Sequence, residues 1–156
     1  MSAPHGVPAV SARQRWGAIA QGIQQDLQAY QALRQLLKQQ FHAALRHDAV
    51  LMAQLGEALE AQAAQLEQAR QLRVQHAKAL LPPQAALSMT ALFAQLQQPL
   101  QGQLQGLWQQ LEALVVDCKQ LNMRNCQLIM EQAEIMREVI ASRAGTAVAT
   151  DIYAPL

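Results

Sequence analysis

Aromatic residues are scarce in this 156-residue chain: Phe, Trp and Tyr together make up 4% of it, although 51% of the residues are hydrophobic. A core built from this sequence is therefore aliphatic. Glycine is also sparse, whereas Ala and Gln are abundant, and about one residue in six is Gln. Both are good helix formers, while Val, Ile and Thr are few. The composition predicts an all-α protein.

Only two cysteines are present, Cys118 and Cys126, eight residues apart. On one helix their backbones would lie about 12 Å apart, at about 1.5 Å rise per residue. That separation exceeds the roughly 7 Å that a disulfide can span. We therefore expect two free thiols, acting as small apolar side chains in a reducing compartment.

Charged residues make up only 15% of the chain, and the formal net charge is +1. Phosphate contacts need clustered Lys and Arg, so nucleic acid is not an expected partner. No stretch reaches the roughly 20 apolar residues that cross a bilayer, and residues 1–10 contain two prolines and no continuous apolar run. We expect a soluble, cytoplasmic protein without stable membrane insertion.

Signatures of catalysis and metal binding are missing as well. Di-iron bundles place a Glu three residues before a His, but none of the four histidines has one: His5, His42, His47 and His76. Zinc-ligand spacings, phosphate-binding loops and nucleophile elbows are also missing. We therefore expect no enzyme activity, no cofactor and no metal, and assign the last three histidines to surface or interhelical hydrogen bonds.

The chain does contain a long hydrophobic pattern near its C-terminus, which we call the seam. Its members lie alternately four and three residues apart, as in the buried seam of a supercoiled helix. They are Leu100, Leu104, Leu107, Leu111, Leu114, Cys118, Leu121, Asn125, Leu128, Gln132, Ile135 and Val139. A second line widens the apolar face at seven-residue intervals, through Trp108, Val115, Asn122, Ile129 and Met136. A helix with so broad a face has room for more than one partner.

The rest of the chain carries similar periodicity, so we predict an all-α fold. The expected architecture is an elongated antiparallel helical bundle or coiled coil of three long helices plus one short helix. Ser11 is a candidate N-cap, Asp48 a candidate N-cap or mild break, and Pro82 with Pro83 ends the second helix. The predicted helices span 11–46, 48–81, 88–97 and 99–142 in one domain over 11–143, between a disordered leader at 1–10 and a flexible tail at 144–156.

Polar residues interrupt the C-terminal half of this apolar face at Asn122, Asn125 and Gln132. In a homodimeric coil, one buried Asn fixes the register at some cost in stability. Alternatively, the two Asn side chains bond to the backbone or side chains of a docked segment, or accept water on a partly exposed face. The spacing leaves these three interpretations open.

Residues 121–129 read Leu-Asn-Met-Arg-Asn-Cys-Gln-Leu-Ile. This segment resembles a signature of the flagellar export chaperones of the FlgN type, a Leu-Asn-x-x-Asn-Gly-x-Leu-Leu-like run on the last long helix. Cys126 stands where the family commonly has Gly. The order of elements is similar too, and the tail keeps a Tyr at Tyr153 but lacks the Asp and Gly that follow it in the family.

The resemblance implies a cytoplasmic chaperone that binds hook-filament junction proteins of the FlgK and FlgL type. It would prevent their aggregation and deliver them to the flagellar export gate protein. Apolar side chains would bury against an amphipathic cargo helix. The implied cargo-binding residues are Leu121, Asn122, Asn125, Leu128, Ile129, Ile135 and Met136. The implied contacts with the export gate are Ile152 and Tyr153.

Two other functions fit the same pattern. One is a structural, homo-oligomeric coiled coil, in which a second copy covers the apolar face. A chaperone that self-associates in the absence of cargo would bury the same face. The other is a different type III secretion chaperone. An amphipathic lipid binder is disfavoured, because the polar faces carry Gln rather than Lys.

Leu128→Asp is expected to abolish cargo binding and to leave the N-terminal helices folded, because it places a charge within the expected binding face. A pull-down with a junction protein and a far-UV circular dichroism spectrum measure the two effects. Unchanged cargo affinity would contradict the proposal that this face is buried against a cargo helix.

Overall fold

A computed structural model of the chain describes the backbone of residues 9–153 and the side chains of residues 9–145. Within that range the regular structure is entirely helical, which confirms the predicted all-α helical bundle. No helix of residues 9–153 combines the length and hydropathy needed to cross a membrane. The helices are α1 (Ala12–Leu45), α2 (Ala49–Leu80), α3 (Met89–Phe93) and α4 (Leu100–Tyr153).

Side-chain caps determine where the first two helices begin. The Ser11 hydroxyl accepts a bond from the Gln14 N–H at 3.1 Å, and the Ser11 N–H donates to Gln14 Oε1 at 2.9 Å, which completes a capping box. At the start of α2, Asp48 Oδ1 accepts from the Leu51 N–H at 3.1 Å. Ser11 and Asp48 are thus confirmed as N-caps, and α1 and α2 lie within one residue of the predicted ranges.

The short helix α3 ends at Phe93, four residues before the predicted end. The N–H groups of Gln95 and Leu96 donate to carbonyls three residues earlier, so the chain closes a tighter turn there. A proline also disfavours helical geometry at the residue before it, and Gln98 precedes Pro99.

The last helix continues to Tyr153, beyond the predicted end at 142. No proline lies within Leu100–Tyr153 to stop it. It includes most of the segment expected to be a flexible tail, whose flexibility stays a prediction. Of the expected leader, residues 1–8 lie outside the described residues.

Helix α1 is the central element, with α2 and α4 packed along it. Three side-chain contacts between α1 and α4 share an offset of 88 residues, so these two helices run parallel: Tyr30 with Cys118, Leu37 with Asn125 and Ala44 with Gln132. Helix α2 is antiparallel to α1, as predicted, and returns the chain to the start of α1. For this reason α4 can only follow α1 in the same direction.

The best-packed part of the core lies where α1 begins and α2 ends. The short helix α3 closes this end with Leu92 and Phe93, both fully buried. The Phe93 ring meets the Trp108 ring edge-on, at 6.5 Å between centroids. The other buried members of this cluster are Ile19, Ile23, Ala77, Leu81, Leu104 and Leu111.

A buried ion pair joins α1 to α2 and reaches α4. Arg73 Nη1 donates to Asp26 Oδ2 at 2.6 Å, and the two side chains are only 15% and 5% exposed. The Arg73 guanidinium also lies 5.1 Å from the centroid of the Trp108 ring, a cation–π distance. One charged cluster therefore ties together the three long helices.

Asp26→Ala should lower the free energy of unfolding by about 3–5 kcal/mol, because Arg73 would keep a buried charge without its partner. Urea denaturation followed by circular dichroism measures the loss. The control is Glu67→Ala, which breaks the exposed Glu67–Arg70 pair on α2 and should change stability little. Equal losses in the two variants would contradict this account.

Candidate functional site

Helix α4 extends beyond the helix on which it packs. With the offset of 88 residues, the last residue of α1, Leu45, corresponds to position 133. Close to that level, Gln132 Nε2 donates to the Ala44 carbonyl at 2.9 Å. Residues 134–153 therefore continue α4 past the end of α1 by about 30 Å, at about 1.5 Å per residue.

Large apolar side chains are exposed on this extension. Ile135, Met136, Val139 and Ile140, which we call the terminal face, are 60%, 57%, 40% and 60% exposed. They share one side of the helix through their spacing of three and four residues. A cluster of exposed aliphatic side chains on one helix face is typical of a protein-binding surface.

The polar residues of the seam hold α4 to α1. The side chains of Cys118, Asn125 and Gln132, one heptad apart, donate to the α1 carbonyls of Tyr30, Leu37 and Ala44 at 3.5, 2.6 and 2.9 Å. A helix carbonyl has a second lone pair, so it accepts these bonds without losing its own helix bond. Two of the three polar interruptions, Asn125 and Gln132, are therefore interhelical hydrogen-bond donors, whereas Asn122 is exposed and accepts from Cys126 of the same helix.

Asn125 is the centre of this set and is fully buried. Its Nδ2 also donates to Gln40 Oε1 at 2.9 Å. Both neighbours of its amide are acceptors, which orients the NH₂ group towards α1 and leaves Oδ1 buried without a hydrogen-bond partner among the described residues. None of the three interpretations open for this residue describes these bonds, because the acceptors lie on α1 of the same chain and the residue is fully buried.

The Cys118 thiol is buried beside α1. Burial raises the pKa of this thiol above its ordinary value, and the nearby Asp117 carboxylate raises it further. The protonated thiol is the form that can donate to the Tyr30 carbonyl. Cys118 is therefore a structural donor, whereas Cys126 is exposed.

The sequence-predicted cargo residues do not all share one surface. Leu121, Leu128 and Ile129 are half-buried, Asn122 is exposed and Asn125 is enclosed against α1. Ile135 and Met136 lie on the terminal face. The role of these residues in cargo binding stays a prediction. Ile152 and Tyr153 belong to α4, but their side chains lie outside the described residues.

A second surface lies where α2 and α4 diverge. No Cα atom of α2 comes within 8 Å of one of α4 in the described chain, so a groove of about 340 Å³ opens over α1. Tyr30, Leu33 and Leu37 of α1 form its floor. We call it the α2–α4 groove, and its walls are Leu59, Glu60 and Ala63 of α2 and Val115, Cys118, Lys119 and Asn122 of α4.

Sequence reasoning missed this groove, although part of its signal is visible. Val115 and Asn122 belong to the second line of the last helix, which is broader than a contact with one helix requires. The matching signal on α2 is weak, because its apolar pattern is thin and rich in Ala. On α1 the floor residues Tyr30, Leu33 and Leu37 follow the same helical spacing as core positions, so their pattern does not distinguish a groove from a core.

One of the described histidines, His76, makes an interhelical contact. Arg15 Nη1 and His76 Nδ1 lie 3.2 Å apart across α1 and α2, an interhelical hydrogen bond of the kind predicted for this residue. Among the residues that the structure describes, no three His, Cys, Asp or Glu side chains are grouped as metal ligands are.

Comparison with protein families gives one match. The family model described as "FlgN protein" matches residues 17–155. The match covers α2, α3 and α4 and nearly all of α1. No curated protein and no solved structure matches this chain.

Two substitutions of Asn125 separate hydrogen bonding from burial. Asn125→Leu keeps the branched shape and the number of side-chain heavy atoms and removes the unpaired Oδ1, so the free energy of unfolding should change by less than about 1 kcal/mol. Asn125→Asp places a buried carboxylate against the Leu37 carbonyl and should destabilise by about 3 kcal/mol or more. Urea denaturation compares them, and an Asp variant as stable as the parent would contradict the packing of α4 on α1.

Proposed function

The chain belongs to the FlgN family of flagellar export chaperones, and we propose that its cargo is the hook-filament junction proteins of the FlgK and FlgL type. It binds them in the cytoplasm, keeps them from aggregating and delivers them to the export gate protein. Its action is binding without catalysis.

The observation that supports this proposal is the terminal face on the extension of α4. Four aliphatic side chains are exposed there, beyond the end of α1. An amphipathic cargo helix that lies along this face buries them against its own apolar residues. Each well-buried Ile or Met contributes about 1.5–3 kcal/mol before the costs of ordering are subtracted.

Such binding is reversible, as delivery requires. A cargo segment that is unfolded before assembly must become ordered when it binds, and this cost offsets part of the contact energy. The half-buried Leu128 and Ile129 lie at the base of the extension, where the bound helix would meet the bundle. Affinity then depends on how much of α4 the cargo covers.

The gate contact that we propose lies further along the same helix. Ile152 and Tyr153 follow Ile140 by at least twelve residues, which corresponds to about 18 Å on α4. A cargo helix that ends near Ile140 leaves them accessible, so cargo and gate can bind at the same time.

The double variant Ile135→Asp with Ile140→Asp tests cargo binding. It should weaken the affinity for a purified junction protein at least about 100-fold, because two anchors of the terminal face become charged. Isothermal titration calorimetry measures the affinity. These positions are sharper tests than Leu128, which is half-buried and contributes to the bundle as well.

The matched control is Met123→Asp, which makes the same type of change on α4 at a position that is 70% exposed and outside the terminal face. It should keep the affinity within about threefold, since this side chain is already in water. Light scattering gives the stoichiometry. A stable homo-oligomer that ignores the junction proteins would instead favour the structural coiled coil.

A further inference from the structure

The α2–α4 groove is a channel that runs along α4 from Val115 to Asn122. Seven helical residues separate those positions, a length of about 10 Å. A second depression shares Tyr30, Leu33 and Ala63 with the groove, but all of its lining residues belong to α1 and α2. It therefore lies between those two helices and does not lengthen the channel between α2 and α4.

The shape of the channel suits a helix. Both walls are helices packed on α1, and no Cα atom of one lies within 8 Å of a Cα atom of the other in the described chain. Helices in bundles pack at interaxial distances of about 8–10 Å, so a fourth helix seated over α1 would contact both walls. The floor is apolar at Leu33 and Leu37 and matches the apolar stripe of an amphipathic helix.

The chain itself leads away from this channel. Helix α4 continues without a break from Lys119 to Tyr153, about 51 Å along its axis. The terminal face therefore lies beyond one end of the channel. The described residues leave the channel open, and we assign its occupant to another molecule.

The walls carry opposite charges. Glu60 lines the channel on α2, and Lys119 lines it on α4. Within residues 9–145 neither side chain has an ion-pair partner, whereas Glu67 is paired with Arg70 and Asp26 with Arg73. One free carboxylate and one free ammonium group thus face the two flanks of whatever fills the channel.

We infer that the α2–α4 groove binds an amphipathic helix of a partner protein, about two turns of which lie between the walls, with a basic flank towards Glu60 and an acidic flank towards Lys119. Reversing the direction of such a helix exchanges its flanks, so the two charges also select the direction in which it lies. This surface is separate from the terminal face, and the inference does not depend on the proposed cargo.

Three synthetic helical peptides with the same Leu stripe test the inference. One has a Lys flank and a Glu flank, one has Glu on both flanks and one has Lys on both. Fluorescence anisotropy at low salt measures their binding to the full chain. The mixed peptide should bind about three- to fivefold more tightly than the other two, since each of those places one like charge against a wall.

Charge reversal on each wall should change this order. Glu60→Lys makes both walls basic and should favour the peptide with two Glu flanks, while Lys119→Glu should favour the peptide with two Lys flanks. The control Glu57→Lys makes the same change on an exposed face of α2 that does not line the groove. It should keep the order of the parent chain. The same order in all four proteins would overturn the inference.

Filling the groove gives an independent readout. Ala63 is exposed and lines the channel, so Ala63→Trp should leave the fold intact, as judged by circular dichroism, and reduce the binding of every peptide at least tenfold. Unaffected peptide binding in this variant would overturn the assignment of the α2–α4 groove as the binding site. A second result would also overturn the inference. If the parent chain forms a dimer, Ala63→Trp separates it into monomers and no peptide binds, the occupant is a second copy of the chain.

Discussion

The parallel contact between α1 and α4 is the constraint on which the rest of the structure depends. Cys118, Asn125 and Gln132 repeat the same interaction every seven residues, each donating to a backbone carbonyl of α1. Because the three donors share one offset, they fix the level at which α4 lies against α1. That level decides how far α4 extends past Leu45 and which residues form the terminal face.

The position of α1 between the other two long helices explains the second surface. A compact three-helix bundle would bring α2 and α4 together and close the groove between them. Here Arg73 reaches from Asp26 to the Trp108 ring, and Ala77 and Leu81 share the core cluster with Leu104 and Leu111. Near Glu60 and Lys119 the two helices are separate, so the proposed binding surfaces arise from incomplete packing at the side and from unequal helix lengths at the end.

Much of the fold could be predicted because helical periodicity and caps are local signals. Ser11 and Asp48 mark helix starts through bonds to residues three positions away, which a sequence displays directly. The hydrogen-bond partner of Asn125 could not be predicted from the sequence, since Leu37 and Asn125 are 88 residues apart and any helix carbonyl can accept the same bond. The groove was missed for a similar reason: the separation of α2 from α4 depends on where both pack around α1, which no single helix encodes.

The three hydrogen bonds that Cys118, Asn125 and Gln132 donate to α1 also affect how the protein responds to force. A load applied sideways at the free end of α4 acts on a lever about 30 Å long, whose nearest attachment is the Gln132 bond. That bond carries the strain first, and Asn125 and Cys118 follow only after it has opened. Such a load would open the three bonds in sequence from the free end, towards the core cluster around Leu104 and Leu111.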